Sequence, residues 1–196
     1  MRVEGQPVGS RTTVLQRTAD SVVFTETLVV ESEAATRITA VLDPTDLTLR
    51  RVDQTGTAGT QRSEMHLRVA AGRITGNAVV PMPSGPSMEM AIDTAVASGS
   101  YYIEFASHVI VRALPLGTEA AYAFPVFSLA DQSVRTLQVQ VAGADSLRVP
   151  AGAFRAFKVT VSGGDVPFVF YVSEAVPRRI LKVEIVGTPV TFELER

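Results

Sequence analysis

The sequence predicts a mainly β protein: a strongly curved antiparallel meander, half-open barrel or sandwich-like, of about ten to twelve strands with one amphipathic helix on its concave face. Three observations lead there. Over roughly the last sixty residues, apolar and polar side chains alternate through successive segments separated by turn signals. The first half repeats that pattern in shorter pieces, and one segment between the halves carries an apolar stripe at helical spacing. At 196 residues the chain fits a single β-rich domain, 1–196, because all-β folds of about this length commonly form one unit.

Along the chain, Ser21 to Glu31 is rich in Val, Thr and Phe, and Thr36 to Leu42 alternates less cleanly. Asp43-Pro44-Thr45-Asp46 is a turn in which proline presets φ. Leu47 to Val52 reads as a short strand before a Gly/Thr-rich turn at Thr55 to Thr60. Gln61 to Ala70 and Arg73 to Val80 flank Ala71-Gly72, a tight hairpin signal. Tyr102, Phe105, Ala106, Val109, Ile110, Ala113 and Leu114 then fall on one face of a helix expected over 101–114. Ser98 or Ser100 is available as its cap, and Pro115 and Gly117 stop it. With no second helix to cover that stripe, it must lie against the sheet.

The closing meander is the clearest part. Leu137, Val139 and Val141 alternate with Gln138 and Gln140, and Phe157, Val159 and Val161 with Lys158 and Thr160. Leu181, Val183 and Ile185 alternate with Lys182 and Glu184, and Val190, Phe192 and Leu194 with Thr191 and Glu193. Phe168, Phe170 and Val172 alternate with Val169, Tyr171 and Ser173, the pattern of a strand covered on both faces. Leu67 to Gly72 echoes Leu147 to Gly152, which we read as shared hairpin grammar, since the flanking residues differ.

Composition narrows the function. A formal charge of -2 with 46% hydrophobic residues rules against disorder and offers no basic excess for phosphate backbones, so nucleic acid is not an expected partner. Sixteen of the eighteen basic residues are Arg, but no Arg cluster accompanies a phosphate-cradling loop. The absence of Cys excludes disulfides, thiolate metal sites and a Cys nucleophile. Met1 to Ser10 has no continuous apolar run, so no secretion signal is visible. The uncharged run Ile74 to Met88 is broken by three prolines, and no membrane-spanning helix is expected.

Candidate chemistry is sparse. His66 and His108 lack ligand spacing, and Ser107-His108 is not a nucleophile–base pair because helix neighbours point about 100° apart. Met82, Met88 and Met90 could offer soft thioethers to Cu(I), yet their commoner meaning is adaptable apolar filling at the lip of a cavity. No metal, cofactor or enzymatic activity is expected.

Leu114-Pro115-Leu116-Gly117, the run Val149 to Val159, Phe170-Tyr171-Val172-Ser173 and Pro177-Arg178-Arg179-Ile180-Leu181-Lys182 together resemble a family of uncharacterised bacterial cell-envelope proteins. Its β-rich fold is similar to the half-open barrels of the LolA/LolB lipoprotein carriers. The resemblance implies an exported, periplasmic or envelope protein with a sheet curled around a helix. It departs from the pattern in having Tyr171 where Trp is common and in lacking a lipid-attachment Cys.

The expected function is therefore a non-enzymatic envelope protein binding an apolar or lipid-like ligand in the half-barrel. Phe105, Val109 and Ile110 on the helix and Phe168 and Phe170 on the sheet are expected to line that site, with the loop carrying Met82, Met88 and Met90 as its lip. The alternative is a structural accessory subunit docking onto a larger, membrane-associated protein assembly.

Overall fold

The structure is a computed structural model that describes residues 1–30, 34–82, 84–96, 102–103, 107–128 and 131–195. It is built from antiparallel strands in two sheets, one in each of two compact units. Unit 1 takes Met1–Pro7 and Ile103–Arg196, and unit 2 takes Val8–Tyr102. The chain opens with two short strands of the first unit, β1 (Arg2–Val3) and β2 (Gln6–Pro7), builds the whole second unit, and then returns.

Unit 2 is a pure meander of seven strands in sequence order. They are β3 (Gly9–Arg17), β4 (Val22–Val30), β5 (Ala34–Leu42), β6 (Leu49–Ala58), β7 (Gln61–Ala70), β8 (Arg73–Val80) and β9 (Met88–Ala95). Register lines one face with apolar side chains: Phe24 lies opposite Ala40, Ala40 opposite Val52, Val52 opposite Leu67, and Leu67 opposite Gly76. Residues opposite one another on paired strands share a face, so this row is a core, and Phe24, Ala40, Val52 and Leu67 are buried.

Gly76 is required where it stands. Its φ is +153°, and a Cβ there would come 1.8 Å from the His66 carbonyl oxygen, so only glycine lets β8 pair closely with β7. The β7–β8 hairpin turns through Ala71 and Gly72 at φ +49° and +73°, the two positive values of a type I′ turn. On the buried face Glu26 is ion-paired to Arg11 of β3 with both side chains nearly covered. Pairing keeps the carboxylate tolerable in that environment.

Unit 1 holds a nine-stranded sheet in the order β10-β11-β12-β13-β14-β15-β16-β1-β2. Its later strands are β10 (Tyr102–Ile103), β11 (Ala121–Ser128), β12 (Ser133–Val149), β13 (Gly152–Ser162), β14 (Phe168–Ser173), β15 (Ile180–Ile185) and β16 (Val190–Glu193). The alternation in the sequence sets its apolar face. Tyr122, Val139, Val161, Phe168 and Ile185 form one continuous row across five strands. Val141, Val159, Phe170, Val183 and Phe192 form the next. A bulge between Val141 and Ala144 lets the long β12 bend without losing its pairing to β13.

Four sequence expectations are corrected. The helix α1 runs only from Ser107 to Ala113, and Tyr102–Ile103 is a strand, as an aromatic and a β-branched residue favour. The rest of the expected N-terminal turn lies outside the described residues. The Thr55–Thr60 turn is instead mostly strand, since β6 continues to Ala58 with Ala58 opposite Gln61. Met88 and Met90 sit in β9, opposite Val80 and Ala78, rather than in a loop. Finally, sixteen strands are present among the described residues, more than expected, because β3, β9, β11 and three two-residue strands carry little alternation. The two echoing segments also turn differently: one at Ala71-Gly72, the other a residue earlier at Pro150-Ala151, with Val149 opposite Gly152. Shared grammar, not duplication, accounts for them.

Candidate functional site

The side chains with most to offer gather on the apolar face of unit 1, where α1 packs on β14. The helix is two turns long, and its first five residues, Ser107 to Val111, are all buried. The His108 ring makes edge-type contacts with two aromatic rings of β14, with centroids 4.9 Å from Phe170 and 6.3 Å from Phe168. Phe168 and Phe170 are themselves 5.7 Å apart. Val109 and Ile110 are 4% and 3% exposed, so they hold the helix down. Such edge-on ring contacts add about 0.5–1.5 kcal/mol each beyond area burial.

The C-terminal end of α1 is tied to the segment between β14 and β15. Arg112 Nε donates to the Arg178 carbonyl at 3.0 Å, and Arg178 returns a hydrogen bond from Nη1 to the Leu114 carbonyl. The Arg178 guanidinium also lies 5.9 Å from the Phe157 ring centroid. Phe157 is opposite Val172, so this contact is on the same face as Phe170, two residues further along β14. The helix thus has aromatic rings under its start and two guanidinium groups at its end. Ser107 Oγ and Arg178 Nε are buried without a hydrogen-bond partner among the described residues.

Coverage of the face is uneven: Val139, Val159, Val161 and Phe170 at its centre are fully buried, and the rings at its margins less so. A nine-stranded sheet is about 40 Å across and a seven-residue helix about 10 Å long, and Tyr122, Phe124, Phe168 and Phe192 stay half-buried around the covered Phe170. Tyr122 and Phe124 stack at 6.3 Å, with the Tyr122 hydroxyl donating to the Pro115 carbonyl at 2.5 Å.

Of the residues the sequence singled out, Val109, Ile110, Phe168 and Phe170 come together here. Phe105 lies outside the described residues. Met82, Met88 and Met90 belong to unit 2, with Met82 and Met88 37% and 44% exposed. Sequence reading missed Arg112 and Arg178 as partners. Their signal was present in Pro177-Arg178-Arg179, but nothing in the linear order brings it to a helix 66 residues away.

Elsewhere the polar chemistry is local. His66 Nδ1 meets Asp53 Oδ1 at 2.9 Å on the outer face of unit 2, and Arg51 holds the other carboxylate oxygen. In unit 1, Arg135 bridges Asp131 at 2.6 Å and Asp165 at 2.8 Å, with Ser128 donating to Asp165 at 2.8 Å. The Arg135 hydrogen bond, reinforced by Ser133, holds the Asp131 carboxyl well below the usual carboxylate range. On the outer face of β14, burial and the nearby Glu184 charge push the Tyr171 phenol up, while hydrogen bonding to Glu184 pushes Lys182 up. Among the described residues no three His, Asp or Glu side chains group as a metal site, and no helix is long and apolar enough to cross a membrane.

The match that places this chain spans residues 1–195 and is to the model of a protein family described as a protein of unknown function, DUF3108. The chain belongs to the DUF3108 family. Comparison with curated proteins and with solved structures returned no match. This member of DUF3108 therefore has to be read from its own geometry, of which the α1–β14 face is the most distinctive part.

Proposed function

We propose that this DUF3108 protein is a non-enzymatic cell-envelope protein that binds an apolar, lipid-like molecule on the helix-bearing face of unit 1. The observation that carries the reading is the partly covered aromatic face: one two-turn helix sits on a sheet whose flanking rings stay half-buried. An apolar surface of that kind suits a hydrocarbon ligand. The half-buried Phe168, Ile185 and Phe192 form the floor, with α1 as one wall. The resemblance of the Pro150–Val159 and Pro177–Lys182 motifs to envelope proteins with LolA/LolB-like half-barrels supports the location and the ligand class. Native mass spectrometry of the protein purified from its host tests the reading. A bound species of lipid mass, released by organic solvent, is the expected result.

A second reading, a structural accessory subunit, is favoured by β3. This strand is an edge of its sheet, nine residues long, exposed from Thr12 to Arg17 and free of proline; it carries exposed Val14 and Leu15, with exposed Val29 on the neighbouring β4. Such an edge can accept an extended strand from a partner protein. In the same mass spectrum a stoichiometric protein partner without lipid would favour this reading over the first.

A further inference from the structure

Arg112 and Arg178 form an unbalanced pair. Each is half-buried, and they are joined through the Arg178 carbonyl. Neither meets a carboxylate among the described residues; their protein contacts are the two backbone carbonyls and the Phe157 ring. Of the five N–H donors on each guanidinium, one on each finds a protein acceptor among the described residues, and the Arg178 Nε is buried without one there. Capping the helix does not exhaust them. A helix C-terminus offers at most about half a negative charge, against two guanidinium charges that stay on at every accessible pH.

Their placement says what would balance them. The guanidinium of Arg178 lies on the same sheet face as Phe157 and Phe170, at the end of α1 opposite the His108–Phe168–Phe170 rings. Between His108 and the Arg112–Leu114 end the helix rises about 6–9 Å, so a molecule lying beside α1 from the half-buried Phe168 would meet an apolar ring first and cationic donors second. Planar, forked guanidinium donors match the oxygens of carboxylate and phosphate.

We infer that the Arg112–Arg178 pair binds the anionic headgroup, carboxylate or phosphate, of a single-chain amphiphile whose hydrocarbon lies along the half-buried Phe168 and Ile185. This inference rests on the apolar-ligand reading above and gives it a headgroup.

The test is calorimetric titration of the full chain with four probes: oleate, oleyl alcohol, oleoyl lysophosphatidate and inorganic phosphate. Arg112→Gln and Arg178→Gln are titrated in parallel, with a thermal melt of each. In the wild type, oleate or the lysophosphatidate should bind at least tenfold more tightly than oleyl alcohol, and whichever of the two is preferred identifies the headgroup. Arg112→Gln should shrink that preference to about twofold with the alcohol affinity unchanged. Equal affinity for charged and neutral amphiphiles in the wild type overturns the headgroup site while leaving the apolar reading intact. Inorganic phosphate binding as tightly as the amphiphiles overturns it in favour of a free-anion site. Failure of oleate, lysophosphatidate and alcohol alike to bind overturns the apolar reading itself. Because the decisive comparison is made on the wild type, a variant that fails to fold does not remove it.

Discussion

Three hydrogen bonds converge on Asp131, from Arg135 and from the hydroxyl and backbone N–H of Ser133, and together they favour its charged form. The folded protein therefore releases this proton at a pH where the unfolded chain still binds it. Its contribution to stability is fully present above the unfolded carboxylate range, near pH 4, and is lost as pH falls through the lower folded value. Acid titration followed by circular dichroism should show the Asp131→Asn variant losing less stability than the wild type between about pH 4 and pH 2. An equal loss in both would place the acid sensitivity elsewhere. Partnerships of this kind were the least legible feature of the sequence. Asp165 lies 30 residues from Arg135, and Asp53 reaches His66 across a strand pair. Register creates both contacts, and register is not written in local spacing. Arg112 and Arg178 were hidden for the same reason, although the residues that surround them, Val109, Ile110 and Phe170, could be picked out as apolar.

Elements were legible where one face is buried and the other wet. In β12, β13 and β15 the two-residue period matches an alternation of covered and more open side chains, and β7 and β8 match their expected limits. The pattern fails where that asymmetry fails. Strand β3 is exposed on nearly all its length and so carries no apolar period, while β11 holds Pro125, which argues against a strand in a sequence. The helix was overextended because the stripe that suits a helix face also fits aromatic and β-branched residues of a short strand. What α1 does can be tested with two variants. Val109→Trp overfills a covered position and should cost about 1–3 kcal/mol in a thermal melt, moving the wall and releasing a bound fluorescent fatty acid. Phe124→Ala, at a half-buried ring on the face, should weaken that fatty acid while costing less stability than the Trp variant. The same loss of stability and no loss of ligand in both would make the face purely structural.

At the scale of the whole molecule, a fold of meanders is economical in sequence terms: neighbours in the chain pair in space, so period and turn signals specify most of the topology. A long-range strand pairing in unit 1, β1 with β16, carries the N-terminus into that sheet before unit 2 begins, and no local signal announces it. Function is less legible than fold, because a DUF3108 sheet with a docked helix gains its meaning from what lies on the uncovered part of the face. The most direct measurement of that is nuclear magnetic resonance of the methyl-labelled full chain with a spin-labelled fatty acid. Selective broadening of Val109, Ile110, Val139 and Val161, reversed by unlabelled oleate, is the predicted result. Broadening centred on Val14, Leu15 and Val29 of unit 2, or no saturable broadening at all, would contradict the account.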